Sequence, residues 1–380
     1  MIIPDSFIAP PAVYAVGNAY QIFVIVNQPM VMWVKIGDEE YYDDSNGVLR
    51  SGKLIHRITI PMFSLDCERQ YTLCYRMIFE RLIYFSKTGD IQKVTFPFRP
   101  VSGNTLHMYM IADTHSRVNA PIQCGRFFGN QLDLLILNGD LPDSSNEINA
   151  FTVIHRIAGE ITGGEIPVVF SRGNHDLRGV HAEDMADYTP TRNGFSYFTF
   201  RLGPIWGIVL DCGEDKPDDC EEYGFTNCCH AFRKRETDYL RQVIRQADNE
   251  YAADGVEYRL VVCHVPFSFV SPPPFDIEQD IYREWCSLLR KEVNPDLMLS
   301  GHQHKYFISL PESEYDHLGQ PCPLVVGSKP GAVYSVNIGT AVELKPEEIR
   351  VRFTDQDHQV LGDERLPMTS QQFGKKPARK

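Results

Sequence analysis

The sequence predicts an all-β segment followed by a larger α/β domain. Residues 1–100 carry alternating and aromatic-rich runs separated by Asn, Asp, Gly and Pro clusters, which is typical of a small antiparallel sandwich. From Leu106 onward, apolar runs alternate with segments of helical spacing, which is typical of an α/β sandwich. We therefore expect a β-sandwich domain at residues 1–100, an α/β domain at residues 101–366 and a polar tail at residues 367–380.

The first segment should form a sandwich of the fibronectin or immunoglobulin type, with strands at residues 20–26, 31–36, 54–60 and 71–79. It contains no cluster of His, Cys or carboxylate residues of metal-ligand type, so we expect a scaffold role. The Phe-Arg-Pro-Val segment at residues 98–101 is expected to be the linker into the second domain.

The second segment alternates strands and helices in the order that an α/β domain requires. Its predicted helices lie near residues 146–162, 234–248 and 277–292. Its predicted strands lie at residues 105–112, 132–137, 166–170, 197–202, 206–211, 258–263, 296–299, 324–326, 333–338 and 349–353.

The composition and the net charge limit the classes of partner that this protein can bind. A chain of 380 residues with 43% apolar residues can bury sizeable cores, and its formal charge of -13 disfavours coating nucleic acid or anionic bilayers. No apolar run approaches the roughly 20 residues of a spanning helix. The N-terminus also lacks a basic segment followed by an apolar core. We therefore expect a cytoplasmic protein without a membrane partner.

The ten cysteines are too sparse for a disulfide scaffold, which favours a reducing compartment. The densest group contains Cys212, Cys220, Cys228 and Cys229. This group could bind zinc or form two disulfides, but its spacing matches no usual structural zinc pattern.

Five polar motifs follow predicted strands of the second segment. The central one is Gly-Asn-His-Asp, residues 173–176, after the apolar run at residues 166–170. Each motif alone would be a turn or a core histidine, but the carboxyl ends of parallel strands meet at one edge of a sheet. The five motifs together therefore predict that their side chains meet in one cleft. The other four motifs are Asp113-Thr114-His115, Gly139-Asp140, Val262-Cys263-His264 and Gly301-His302-Gln303-His304.

The side chains of these motifs form a metal-ligand set. They offer oxygen and imidazole donors without a thiolate, which suits Mn, Fe, Zn, Co or Ni. A two-metal hydrolase needs a carboxylate that bridges ions about 3.5 to 4 Å apart, and Asp140 is the natural bridge. The residues of metal-ligand type at these strand ends include Asp113, His115, Asp140, Asn174, His264, His302 and His304.

The ordered motifs, over roughly residues 104–310, resemble the calcineurin-like metallophosphoesterase superfamily. The resemblance implies a four-layer α/β/β/α fold that holds two divalent or trivalent transition-metal ions, with Mn, Fe or Zn expected. It implies His175 as the proton donor or transition-state stabiliser and Asp176 as the residue that orients it. The preceding β-sandwich resembles the arrangement in purple acid phosphatases. One implied ligand set is Asp113, His115, Asp140 and His304, and the other is Asp140, Asn174, His264 and His302.

Two departures from this family refine the expectation. Purple acid phosphatases carry a ligand tyrosine where this chain has Asp143, so iron-phenolate colour is not expected. Protein serine/threonine phosphatases carry a phosphate-gripping arginine where this chain has Ser144, so phosphoprotein specificity is doubtful. Arg117, Arg172 and Arg178 lie next to the motifs and are candidates to bind phosphate, although each could equally be a surface or salt-bridged residue.

The sequence therefore predicts a metal-dependent phosphoric ester hydrolase that acts on a small phosphorylated substrate, with phosphomonoesters favoured. In this mechanism a hydroxide that bridges the metals attacks phosphorus, and His175 assists the departing alkoxide. The alternatives are a phosphodiesterase or nucleotide hydrolase on the same residues, and a β-sandwich binding or adhesion protein whose site is inert. Residues 177–195 and 212–232 are the expected substrate loops, while the natural substrate and oligomeric state stay open.

Overall fold

A computed structural model describes residues 3–367, in which apolar strands and amphipathic helices follow the predicted order. The predicted tail, residues 367–380, lies outside the described residues apart from Pro367. The strands are β1 (Ala12–Val16), β2 (Ala19–Ile25), β3 (Met30–Ile36), β4 (Glu39–Tyr42), β5 (Asp44–Ser45), β6 (Val48–Leu49), β7 (Ile55–Pro61), β8 (Gln70–Arg81), β9 (Ser86–Thr88), β10 (Gln92–Pro97), β11 (Leu106–Ile111), β12 (Leu134–Asn138), β13 (Pro167–Ser171), β14 (Phe198–Leu202), β15 (Ile205–Leu210), β16 (Tyr258–Cys263), β17 (Leu297–Ser300), β18 (Phe307–Ser309), β19 (Leu324–Val326), β20 (Lys329–Pro330), β21 (Asn337–Leu344), β22 (Glu348–Asp355) and β23 (Val360–Pro367). The α-helices are α1 (Met62–Glu68), α2 (Asn119–Gly125), α3 (Thr152–Thr162), α4 (Met185–Tyr188), α5 (Cys229–Arg245) and α6 (Gln279–Leu288).

Two large sheets form the centre of the fold. The first has ten strands in the order β23-β22-β21-β11-β12-β13-β1-β2-β7, with β20 paired to β21. The second has six strands in the order β14-β15-β16-β17-β19-β18. In each sheet the strands that precede the polar motifs are parallel, as the register of Leu135 with Val168 and of Leu260 with Leu297 shows.

Side-chain alternation along these strands produces four layers. On β11, Met108 and Met110 belong to the cluster between the two sheets, whereas Tyr109 and Ile111 belong to a cluster with α2 and α3. On β16, alternate residues divide in the same way between the inner cluster and a cluster with α5 and α6. Both faces of these strands are buried, which explains their continuous apolar runs. The predicted α/β/β/α arrangement is confirmed.

The N-terminal region consists of β-strands, as predicted, apart from the short helix α1, but its strands are not confined to a sheet of their own. Strands β1, β2 and β7 extend the first large sheet, because β1 pairs in parallel with β13 through Val13 and Pro167. Strands β10, β8, β3 and β4 form a separate sheet that shares the inner hydrophobic cluster. The domain boundary near residue 100 and the fibronectin-like assignment stay predictions, and the ten-stranded sheet extends across that boundary.

One local prediction was wrong. The strand expected at residues 333–338 is a turn closed by Gly331 and Val336, in which the exposed fractions of Val333 and Tyr334 are 57% and 67%. The apolar residues of that run therefore mark a loop, and β21 begins only at Asn337. The segment at residues 98–101 lies between β10 and β11 with its first and last side chains buried, and its role as a domain linker stays a prediction.

The cysteine group does not come together as a pair of disulfides. All four of its members are free thiols, and Cys212 Sγ lies 3.5 Å from the sulfur of Cys263, outside the predicted group. Among the described residues, no candidate metal-ligand cluster includes a cysteine. Within residues 3–367, no helix combines the length and apolar character needed to cross a membrane.

The buried His155 on α3 contacts Tyr14 on β1 and Phe23 on β2, and so joins the N-terminal strands to that helix. His155 Nε2 donates to the backbone oxygen of Tyr188, 2.8 Å away, and Nδ1 accepts from the Tyr14 hydroxyl at 3.0 Å. The ring stacks on Phe23 with centroids 4.4 Å apart. Burial lowers the pKa of His155 from 6.5 to about 4, so the folded protein holds the neutral ring.

This burial predicts an acid-sensitive contribution to stability. Because the unfolded chain binds the His155 proton first, the free energy of unfolding should fall as pH drops from 6.5 to about 4, by up to about 1.4 kcal/mol per pH unit. Urea unfolding of chelator-treated protein measures this slope. His155→Gln should lower stability at pH 7 and flatten the slope, whereas the exposed His358→Gln should change neither. Equal slopes in all three proteins would contradict the assignment.

Candidate metal centre

The ligand side chains are positioned by strained loops at the strand ends. Asp113, His115, Asp140, His302 and His304 all have positive φ angles, of 53°, 43°, 54°, 68° and 47°. Positive φ is uncommon outside glycine and carries an energetic cost that is typical of functional sites. The packing of the buried strands must offset this energetic cost. The positive φ angles place five of the predicted ligands in sharp turns at the strand ends.

Two glycines allow the loops to approach one another. At Gly139, whose φ is 79°, a Cβ would lie 2.5 Å from His264 Nδ1. At Gly173, a Cβ would lie 2.2 Å from Asp140 Oδ1. Any side chain at these positions would displace a predicted ligand, which explains why both motifs begin with glycine.

The structure brings Asp113, His115 and His304 into one set. Their donor atoms lie within 4.8 Å of one another. The Nε2 atoms of the two imidazoles are 2.9 Å apart, and His304 Nε2 is 3.5 Å from Asp113 Oδ1. These three residues belong to the first of the two implied ligand sets.

The remaining predicted ligands form a second set. His264 Nε2 is 3.1 Å from Asp140 Oδ2, and His302 Nδ1 is 3.0 Å from Asn174 Oδ1. His264 Nε2 is also 3.9 Å from Asp113 Oδ1, so the two sets adjoin. All seven predicted ligands therefore converge, although the bridging role of Asp140 stays a prediction.

Three buried carboxylates crowd this region. Burial raises the pKa of Asp113 well above its ordinary range, and burial together with Asp140 raises that of Asp176 to about 7. Burial also opposes ionisation of Asp140, but His264 outweighs it and lowers the pKa of Asp140 below its ordinary value. Buried carboxylates at such short range favour a nearby positive charge.

The pKa values of the four histidines among the predicted ligands are also shifted. Burial lowers the pKa of His115 and of His302 to about 4, and it also lowers that of His304. Burial would lower the pKa of His264 too, but Asp140 and Asp113 outweigh it and raise that pKa to about 10. Neutral imidazoles are the form that binds metal, and at His264 a cation would take the place of the proton.

These residues fit two transition-metal cations. His264 Nε2 is buried without a hydrogen bond of normal geometry and points towards the carboxylate of Asp140. The donors are imidazole nitrogens, carboxylates and one amide oxygen, a mixture that suits Mn, Fe or Zn. The seven candidate ligands, among them a buried His264 nitrogen that faces the Asp140 carboxylate, therefore fit a centre of two metal ions.

We expect gently purified or Mn-reconstituted protein to contain about two metal ions per chain, because the ligands divide into two adjoining sets. Elemental analysis measures the stoichiometry. Chelation followed by reconstitution with one metal at a time is the control for adventitious ions. A content that stays near zero would contradict a dinuclear centre.

His175 lies at the rim of the centre, and its ring is held differently from the expectation. Nδ1 donates to the backbone oxygen of Asp143 at 2.9 Å, and Nε2 accepts from Arg178 Nη1 at 3.2 Å. Asp176 instead accepts from the backbone of Gly173 through Oδ2, at 2.7 Å, and its Oδ1 has no hydrogen-bond partner. The expectation that Asp176 orients His175 is therefore not supported, because Asp143 and Arg178 hold the ring.

The three candidate arginines occupy different environments. Arg178 contacts His175 and forms two 2.9 Å hydrogen bonds to the buried carboxylate of Glu214. Arg172 pairs with Asp211 at 2.6 Å and is largely buried. Arg117 Nη2 donates to the backbone of Gly331 at 3.0 Å. Of the three, only Arg178 contacts the predicted proton donor directly.

Two acidic residues near the centre were missed. Asp143 Oδ1 is 3.2 Å from His115 Nδ1, so it can orient that ligand in addition to holding His175. Asp215 Oδ2 is 3.8 Å from His302 Nε2. From the sequence we considered Asp143 only because purple acid phosphatases have a ligand tyrosine at that position. Asp215 lies in the loop at residues 212–232, which was expected to contact substrate. Their proximity to histidines depends on folding and has no local signal.

Comparison with known proteins is consistent with this geometry. Residues 106–306 match the family described as calcineurin-like phosphoesterase. The purple acid phosphatase PPD1 from yellow lupin (Lupinus luteus) seeds superposes with a TM-score of 0.60 at 12% identity, over 94% of this chain and 74% of that one. PhoD superposes with a TM-score of 0.52 at 10% identity, over 97% of this chain and 90% of that one. Comparison with curated proteins gave no match.

Proposed function

Because this chain belongs to the calcineurin-like phosphoesterase family, and is thus a metal-dependent phosphoesterase, we propose that it hydrolyses phosphate monoesters with His175 as the proton donor. The observation that carries this proposal is the convergence of seven nitrogen and oxygen ligands from five strand ends. When bound, two cations would supply a nucleophilic water and neutralise charge on the phosphoryl oxygens. We propose Mn, Fe or Zn as these cations, from the chemistry of the ligands.

We propose that the ligands divide between the two ions as the family resemblance implies. Asp140 would contribute to both ions and also accepts a hydrogen bond from the His175 backbone, at 2.8 Å from Oδ1. This bond fixes the turn that carries both Asn174 and His175. One ion would be held by Asp113, His115, Asp140 and His304, and the other by Asp140, Asn174, His264 and His302.

The position of His175 supports the role of proton donor. Its side chain is 28% exposed, so a substrate can reach it, while its neighbour Asn174 is buried among the ligands. The Asp143 carbonyl fixes the Nδ1 proton, which leaves Nε2 as the atom that takes up and delivers a proton. Because the guanidinium of Arg178 can only donate, its hydrogen bond to Nε2 is present only while Nε2 carries no proton.

Arg178 favours a monoester over a diester. A monoester carries a second negative charge on the phosphoryl group, and the guanidinium next to His175 is placed to pair with it. Its two hydrogen bonds to Glu214 hold the planar group in a fixed direction. A diester offers one charge fewer and would gain less from this contact.

The experiment compares a nitrophenyl phosphate monoester with the corresponding diester, using the Mn-loaded enzyme. We expect a higher kcat/KM for the monoester, and Arg178→Gln should lower the monoester value more than the diester value. The exposed Arg126, which contacts Glu160 on the surface, provides the matched control Arg126→Gln. A preference for the diester would contradict the monoester proposal, and turnover of neither ester would contradict the catalytic proposal.

A further inference from the structure

A groove with a volume of about 440 Å³ lies between helix α5 and the segment that precedes β14. Its walls come from residues 192–197 and 235–250. They include none of the predicted metal ligands, and neither His175 nor Arg178. Small-molecule sites enclose roughly 300 to 1,000 Å³. The groove is therefore separate from the metal centre and large enough for a ligand of its own.

The charges of this groove favour an anionic ligand. Its walls contain three arginines that form no ion pair with a carboxylate among residues 3–367, namely Arg192, Arg235 and Arg245. Asp238 also lines the groove, but it pairs with Arg241 at 2.8 Å. Glu250 lines it too, and accepts from Trp206 Nε1 at 2.8 Å. In a chain with a net charge of -13, three arginines without acidic partners form a local positive site.

A tight turn holds two of the groove residues, Arg192 and Phe195, side by side. The two residues exchange backbone hydrogen bonds of 3.0 Å in both directions. Asn193 and Gly194 between them have φ angles of 54° and 83°, and positive φ at both central residues is the requirement of a type I′ hairpin turn. A Cβ at Gly17 would lie 3.3 Å from Arg192 Nε, so the arginine side chain rests against bare backbone there. The turn and this packing fix the position of Arg192 before a ligand arrives, which lowers the cost of binding.

Three aromatic rings form a row along the groove. Phe195 stacks on Tyr197 with centroids 5.1 Å apart, and Tyr197 lies 5.1 Å from Tyr239. Phe195 is 42% exposed, so a ligand can reach the end of this row. Burial raises the pKa of Tyr239, and the nearby charge of Arg192 opposes that rise. The groove therefore places a surface for a planar ring beside a cation.

We propose that this groove is a second ligand site and that it binds a small aromatic molecule carrying a phosphate group. The arginines pair with the phosphate oxygens through charge-assisted hydrogen bonds, and the planar ring stacks on the row that Phe195 begins. A nucleoside monophosphate and an aryl phosphate both offer this chemistry. The groove contains none of the residues assigned to hydrolysis, so the proposal stands apart from the function proposed above.

Calorimetric titration of the Mn-loaded protein with benzylphosphonate tests the proposal, because a phosphonate resembles a phosphate ester but is not hydrolysed. We expect two sites per chain, one at the metal centre and one in the groove, and chelation should remove only the first. The groove site should bind benzylphosphonate about tenfold more tightly than methylphosphonate, which has no ring. The phosphonate analogue of adenosine monophosphate distinguishes the two sources of ligand. Tighter binding of this analogue than of benzylphosphonate identifies a nucleotide site, and weaker binding identifies an aryl phosphate site.

Arg235→Gln should weaken the groove site by about tenfold, because one charge-assisted hydrogen bond is lost. Phe195→Ala should reduce the preference for the ring. Lys234→Gln is the matched control, since it removes the same charge from the preceding position of α5, and Lys234 is exposed but does not line the groove. If chelation abolishes all binding, or if Arg235→Gln and Lys234→Gln bind the phosphonate equally well, the groove is not a ligand site. If one phosphonate binds per chain and chelation leaves it in place, the groove site stands and the phosphate site at the metal centre fails.

Discussion

Replacing Asp140 with Asn should lower kcat/KM for phosphomonoesters by more than about 10²-fold and weaken metal binding at the same time. Asp140 Oδ2 lies 3.1 Å from His264, and Oδ1 accepts the backbone hydrogen bond of His175. Changes to residues that only support metal ligands already cost about 10- to 100-fold. The loss of a carboxylate shared by two ions should cost more than that. Asn keeps the shape of Asp and removes the charge, so the effect isolates the electrostatic role.

Asp133→Asn is the matched control. Asp133 is also a buried aspartate and precedes β12, whereas Asp140 follows the same strand at its other end. Asp133 pairs with Arg99 and accepts from the His107 backbone at 2.8 Å, remote from the ligands. Its substitution should reduce stability and leave about two ions per chain. Metal analysis and steady-state kinetics of both variants provide the comparison, and full activity with full metal content in Asp140→Asn would refute the bridging role.

His175→Ala should reduce kcat for alkyl phosphates by about 10² to 10⁴-fold and leave the metal content near normal. General acid assistance is worth this much, and its benefit grows as the leaving group becomes more basic. The fall should therefore be smaller for a nitrophenyl ester, which leaves readily without a proton. The His175 ring is held by the Asp143 carbonyl and Arg178 and lies edge-on to the ligand His115, with centroids 4.6 Å apart. Because neither ring nitrogen faces a predicted ligand oxygen, its removal should spare the ions.

His358→Ala serves as the control for His175→Ala. His358 lies outside the expected substrate loops, is exposed, and its Nε2 donates to the backbone oxygen of Gln123 at 2.8 Å. This variant should retain activity on every ester. Equal losses on alkyl and nitrophenyl esters in His175→Ala would point to an electrostatic role, and loss of an ion would point to a ligand role. Either result would overturn the proton-donor assignment.

The sequence predicted the metal centre better than it predicted the N-terminal region. An apolar run that ends in a polar turn is a local pattern, and it correctly located the strands before Asp113, Asp140, Asn174, His264 and His302. The same reasoning divided the chain near residue 100, because the pattern of apolar residues changes there from short alternating runs to apolar runs separated by helical segments. It could not show that β1 pairs with β13, since a short buried strand such as Ala12–Val16 carries no mark of its partner.

What the sequence alone determined is therefore the set of candidate ligands and the order of the strands that carry them, because both depend on residues next to one another in the chain. The tertiary structure decided which of these groups meet. His302 donates its backbone N–H to Asp113, 189 positions away, only because two separate sheets direct their carboxyl ends into one cleft. The same packing placed Arg178 and Asp143 on the His175 ring and gave Asp176 a different partner. Such contacts follow from the packing of whole layers, so no local pattern encodes them.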